Sequence, residues 1–100
     1  MALKVEHLRI LFDYNYWTRD RLLAAMGNMP ESEYSNENGF SYGSIRGILT
    51  HCLETEFGWR SRFEGRARTT PIKEADVATV ALLTERWRNE EAMMRGYFHF

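Results

Sequence analysis

Three stretches of the chain carry apolar residues at helical spacing. At about 100° per residue, Val5, Leu8, Leu11, Phe12, Leu22, Leu23 and Met26 fall on one stripe. This predicts a first amphipathic helix over residues 2–26. Asn15 and Arg19 interrupt that stripe, and Ile10, Tyr14 and Trp17 form a second apolar face elsewhere on the same helix. A helix with two apolar faces is packed on both, so the second face calls for a partner helix, for which another subunit is a source. Gly27 ends the helix as a glycine cap does, and Met29-Pro30 prevents its continuation. Residues 31–39 are polar and follow neither period, which reads as a loop with at most one helical turn, its end anchored in the core by Phe40 and Tyr42. Ser41 or Ser44 then caps a second helix that runs to Phe63 or Glu64 and is closed by Gly65. Its length is about 28 Å. Ile45, Ile48, Leu49, Cys52, Trp59 and Phe63 make its stripe, with Glu56 near the middle.

Residues 66–78 contain Pro71 and no periodicity, so they read as a linker. Helix connections in compact bundles run about 2–8 residues, whereas about a dozen can reach roughly 40 Å. The next helix can therefore run parallel to its predecessor. Thr79 caps it, and Val80, Leu83, Trp87, Met94 and Phe98 share a face opposite Glu85, Arg86, Arg88 and Asn89. No strand alternation or repeat competes, so the fold class is all-α and residues 1–100 form one domain. The closing residues 95–100 are aromatic and still follow the helical pattern. With a two-faced first helix, three long helices want a fourth, from a partner chain or from a longer form of the protein.

Composition narrows the function more than the fold. A formal net charge of −1 and a pI near 6.3 offer nothing to nucleic acid or an anionic membrane. The densest basic cluster, Arg60, Arg62, Arg66 and Arg68, is broken by Glu64 and reads as a solvated helix end. A single cysteine rules out an internal disulfide and favours a reducing, cytoplasmic compartment. The first residues enter a helix without a leader pattern, and no apolar run approaches the roughly 20 residues that cross a bilayer.

The chemistry-bearing residues are few. His51 lies on the flank of the second helix's stripe, where it is either a metal ligand or a boundary histidine; no HxxxH partner accompanies it. Glu56 is costly at mid-stripe unless paired or ligating. It either orients His51 or a metal-bound water, or forms a buried ion pair with Arg19, which holds the equivalent place on the first helix with Asn15 one turn away. The ion pair is the preferred reading. Cys52 reads as a small buried hydrophobe, and Glu54 as solvent-facing. Trp17, Trp59 and Trp87 read as core or interface aromatics rather than a ligand cage.

Taken in order, Leu11-Phe-Asp-Tyr-Asn15-Tyr-Trp17 with Arg21-Leu-Leu, Phe40-Ser-Tyr-Gly-Ser-Ile-Arg-Gly47, His51-Cys-Leu-Glu-Thr-Glu56-Phe-Gly-Trp59 and Val80-Ala-Leu-Leu-Thr-Glu-Arg-Trp87 resemble the DinB-like family of metalloenzymes. The resemblance covers nearly the whole chain. It implies a four-helix bundle of up-down-down-up topology, commonly a homodimer, with a divalent transition metal such as nickel or zinc held by one histidine of the second helix and two of the fourth. His51 matches the first of these. The resemblance further implies thiol-dependent transfer or detoxification, with a low-molecular-weight thiol or another small molecule as substrate. The chain departs from the pattern in lacking the fourth helix and its histidine pair, and His7 and His99 do not stand in for them. The alternative is a non-catalytic helical dimerisation module without metal.

Overall fold

The computed structural model describes residues 4–39, 41–67 and 70–100. They form helices α1 (Val5–Met26), α2 (Glu31–Ser35), α3 (Ile45–Phe63) and α4 (Val80–Phe98), with a 3-10 turn at Glu74–Val77 before α4. No strand occurs among the described residues, and the molecule is all-α as the periodicity requires. The helix ends are set by local chemistry. Ser44 Oγ accepts from the Gly47 N–H at 2.9 Å, and Thr79 Oγ1 accepts from Leu82 N–H at 3.2 Å. Each satisfies a backbone donor that the first turn leaves without a partner. Gly27, at φ +52°, turns the chain out of α1 where a side chain would strain it.

α2 is the short helical turn allowed for in residues 31–39, while the 3-10 turn lies where an unstructured linker was expected. α2 has only five residues, too few to show a period, and it is held by Tyr34. That ring is wholly buried, and its hydroxyl donates to the Val77 carbonyl at 2.8 Å. The segment before α4 is likewise no mere tether, because Ile72 and Val77 enter the core. The anchoring role expected of Phe40 lies outside the described residues, as do Arg68 and residues 2 and 3 of the expected first helix.

The helix directions follow from side-chain register. Asp13 meets Arg95 (2.8 Å) and Arg19 meets Glu91 (2.5 Å), so α1 and α4 run antiparallel. Glu56 meets Trp87, Arg60 meets Glu90 and Phe63 meets Phe98, so α3 and α4 run parallel. The long connection from α3 to α4 is what that parallel pairing demands. α4 packs on both α1 and α3, which hardly touch one another. The main apolar core gathers at one end of this array, around Leu23, Tyr34, Leu49, Leu53, Leu83 and Trp87. An aromatic cluster of Phe12, Phe63, Tyr97, Phe98 and Phe100 fills the other.

The face that α3 buries differs from the stripe read in its sequence. Leu49, Leu53, Arg60 and Ser61 are buried, while Cys52, Trp59 and Phe63 are exposed. The apolar sector of α3 is wider than one contact: one half meets α4, and the other faces the gap toward α1. Arg60, expected in solvent, is therefore interior, and Cys52, expected in the core, is not.

Candidate functional site

His51 is exposed on α3, on the side turned toward the connection before α4. Its ring stacks on Tyr42 with centroids 4.3 Å apart and planes within 17°, and Nε2 lies 3.1 Å from the Tyr42 hydroxyl. Tyr42 is itself exposed rather than a core anchor, and it adopts φ +66°, uncommon for a bulky residue. The turn can fold back this far because position 47 is glycine: a Cβ there would meet the Tyr42 carbonyl oxygen at 2.0 Å. His51 and Tyr42 border a cleft of about 590 Å³ that also includes Thr50, Lys73 and Glu74. Across it, Arg46 and Glu74 form an ion pair at 3.0 Å.

These residues do not complete a metal site. Zinc typically takes three or four protein ligands, and among the described residues no group of three His, Cys, Asp or Glu side chains converges. His7 accepts from the Lys4 N–H at the start of α1, and His99 closes α4 in the left-handed conformation. Both are spent on helix ends.

Glu56 does not join His51. Five residues apart on one helix, they point about 140° apart, and they border different cavities. Nor does the expected Arg19–Glu56 pair form. Glu56 Oε1 accepts from Asn15 Nδ2 at 2.8 Å and Oε2 from Trp87 Nε1 at 3.1 Å. Arg19 turns instead to Asp20 and to Glu91 on α4. α4 supplies Glu91 to Arg19 and Trp87 to Glu56, partners that single-helix patterns could not show. Burial pushes the Glu56 carboxyl above its ordinary 4.5; the bonds from Asn15 and Trp87 and the charge of Arg19 oppose that rise without cancelling it. Burial, and then the Glu56 charge, also push the Cys52 thiol up, so Cys52 is a poor thiolate nucleophile.

The buried ion pair that does exist joins Arg60 to Glu90, 3% and 0% exposed, with bonds of 2.5 and 3.1 Å. Sequence reasoning passed over it because an arginine among arginines looks solvated. Its signal was positional: Arg60 recurs on the Leu49–Leu53 line, about 20° from each.

A three-helix array with an open side, in which α4 packs on both α1 and α3, defines a helical-bundle protein. The sequence model of the DinB family matches residues 1–95. The chain belongs to the DinB family. It is similar to Protein DinB of Bacillus subtilis (strain 168), 24% identical over 66 residues, which are 66% of this chain and 38% of that protein. The matched part is thus well under half of that relative's length. No solved structure matches the chain. No described helix is long and apolar enough to cross a membrane.

Proposed function

We propose that this DinB-family domain belongs to a divalent-metal enzyme of the thiol-dependent transferase or detoxification type, and that His51 is its one ligand to a nickel or zinc ion. The observation that supports this reading is the exposure of His51. A histidine kept for packing is covered, whereas this one stands at the rim of an open cleft with its ring held flat by Tyr42. A bound ion of this kind would act as a Lewis acid toward a thiol or water. What this chain's own residues supply is narrower: Tyr42 orients the imidazole, and the cleft admits a small molecule. The remaining ligands and the thiol come from outside the described residues, and the working form is a cytoplasmic homodimer.

Native mass spectrometry with metal analysis tests this. The expected result is an assembly that carries nickel or zinc and loses it on His51→Ala with its mass otherwise unchanged. An assembly that carries no metal before or after the substitution would overturn the reading.

A second reading, a non-catalytic dimerisation module, is favoured by Ile10, Tyr14 and Trp17, which stand 65%, 65% and 55% exposed on one face of α1. Tyr14 and Trp17 contact one another and Arg21 lies over the Trp17 ring, and an exposed apolar face of this kind is characteristic of a protein contact.

A further inference from the structure

The Tyr42–His51 contact does more than hold an imidazole flat. A neutral imidazole has one nitrogen with a free lone pair, and that lone pair is what a metal ion or an electrophile uses. Here Nε2 of His51 lies 3.1 Å from the Tyr42 hydroxyl. Of the two groups, the phenol is the better donor and the imidazole nitrogen the better acceptor. This assigns the bond as O–H donating to Nε2, with the ring proton on Nδ1. The one lone pair of His51 is then taken. The stacked ring, with centroids 4.3 Å apart, covers a face of the imidazole as well. A histidine open to solvent is thus chemically closed.

The closure is built to be undone. Tyr42 is 57% exposed, and its side chain makes no other hydrogen bond or ring contact among the described residues. Rotation about its own χ1 would lift it off His51 without any movement of α3, and the two residues border a cleft of about 590 Å³. What sets the phenol there is the turn beneath it. Tyr42 and Gly43 adopt φ +66° and +78°, and Gly47 lets the Tyr42 carbonyl approach α3. A bulky residue in the left-handed region is strained, and such strain gathers where a contact serves a function. Exposed side chains change rotamer in picoseconds to nanoseconds. The contact therefore does not delay a ligand's arrival. It lowers the ligand's apparent affinity in proportion to the open fraction.

We propose that Tyr42 gates His51: closed, its hydroxyl occupies Nε2; open, with the phenol rotated away, Nε2 is free for the ion. This rests on the reading of His51 as a metal ligand. An ion whose bond to imidazole is weak leaves the pair closed, so Tyr42 sets how strongly an ion must bind to be taken up. Orientation and occlusion come from different parts of the side chain. The ring orients the imidazole, and the hydroxyl blocks it. Tyr42→Phe separates the two, because it keeps the stack and removes the hydrogen bond.

The test reads His51 twice, once without metal. Diethyl pyrocarbonate acylates the unprotonated imidazole nitrogen, and peptide mass spectrometry assigns the rate to His51 rather than to His7 or His99. Nickel alone, titrated into the full chain by calorimetry, reads the same nitrogen as a ligand. The expected result is that His51 is acylated about three to ten times faster in Tyr42→Phe than in the parent, and that nickel binds more tightly by a similar factor. His51→Ala abolishes that nickel binding. Equal acylation of His51 in parent and Tyr42→Phe overturns the gate. So does nickel binding through His51 that Tyr42→Phe leaves unchanged or weakens. If neither protein binds nickel through His51, the ligand reading of His51 falls, and the acylation rates alone decide whether Tyr42 closes the nitrogen.

Discussion

At the scale of single residues, Glu56 and Gly47 show how a side chain's neighbours decide its meaning. Glu56 is held above its ordinary carboxyl range by burial. A carboxyl whose folded pKa is raised binds more protons folded than unfolded, so its contribution to stability is present at low pH and declines as pH rises through the folded value. The expected outcome is that the stability of the protein relative to Glu56→Gln falls as pH is raised from about 4.5 and then levels. Urea titrations of both proteins across that range check it, and a difference that grows with pH would contradict the assignment. Comparison with the variant is needed because Glu64 acts oppositely. Burial would raise Glu64, but Arg60 and Arg66 hold it low, so its contribution is lost as pH falls. At position 47 the constraint is steric. Gly47→Ala drives a methyl group into the Tyr42 backbone 2.0 Å away, and backbone cannot yield as a flexible side-chain end does. A loss of about 2 kcal/mol or more is expected, along with loss of the ring-current shift that Tyr42 imposes on the His51 imidazole protons. An unshifted melting curve would show that the turn does not need glycine.

At the scale of elements, the parallel contact of α3 and α4 depends on one charged pair. Arg60 and Glu90 are both buried, and removing one leaves the other uncompensated. Arg60→Met is expected to cost about 3–5 kcal/mol, whereas Arg60→Met with Glu90→Leu recovers most of it, because an apolar pair of similar volume needs no counter-charge. Chemical denaturation of the two variants tests this. A single substitution costing under about 1 kcal/mol would mean that Arg86 and water compensate Glu90. The boundaries of α3 and α4 were legible in the sequence because caps are local: Ser44, Thr79 and the glycines act within a few residues. α2 was legible only as an allowed turn and the 3-10 turn not at all, since both are held through Tyr34 and Val77, which join positions far apart in the chain. The buried face of α3 was legible only as a broad apolar sector. Which half meets α4 was decided by where α4 lies.

At the scale of the whole molecule, the open surfaces of α1 and α3 are the main feature. Trp17, exposed and tilted against Tyr14 with centroids 5.8 Å apart, is central to the outer face of α1. If that face joins two copies, Trp17→Glu places a charge in the contact and is expected to convert dimer to monomer in sedimentation velocity, with circular dichroism unchanged. A variant that sediments as the parent does would remove this face from the assembly.

The amino-acid sequence by itself determined the all-α class, the three long helices and their caps, the need for a long connection before the last of them, and the DinB-family membership that those segments carry. These depend on periodicity and on interactions spanning a few residues. It also brought Asn15 and Glu56 into one neighbourhood. Only the tertiary structure decided that Arg19 serves Glu91, that Arg60 and not Arg19 makes the buried pair, that Tyr42 stacks on His51, and that His51 and Glu56 open onto separate cavities. The physical reason is common to all four. A periodic pattern says that a face is apolar or that a charge interrupts it, but partners are chosen by which helices meet and in what register, and here α4 supplies partners to both residues that the pattern alone would have paired.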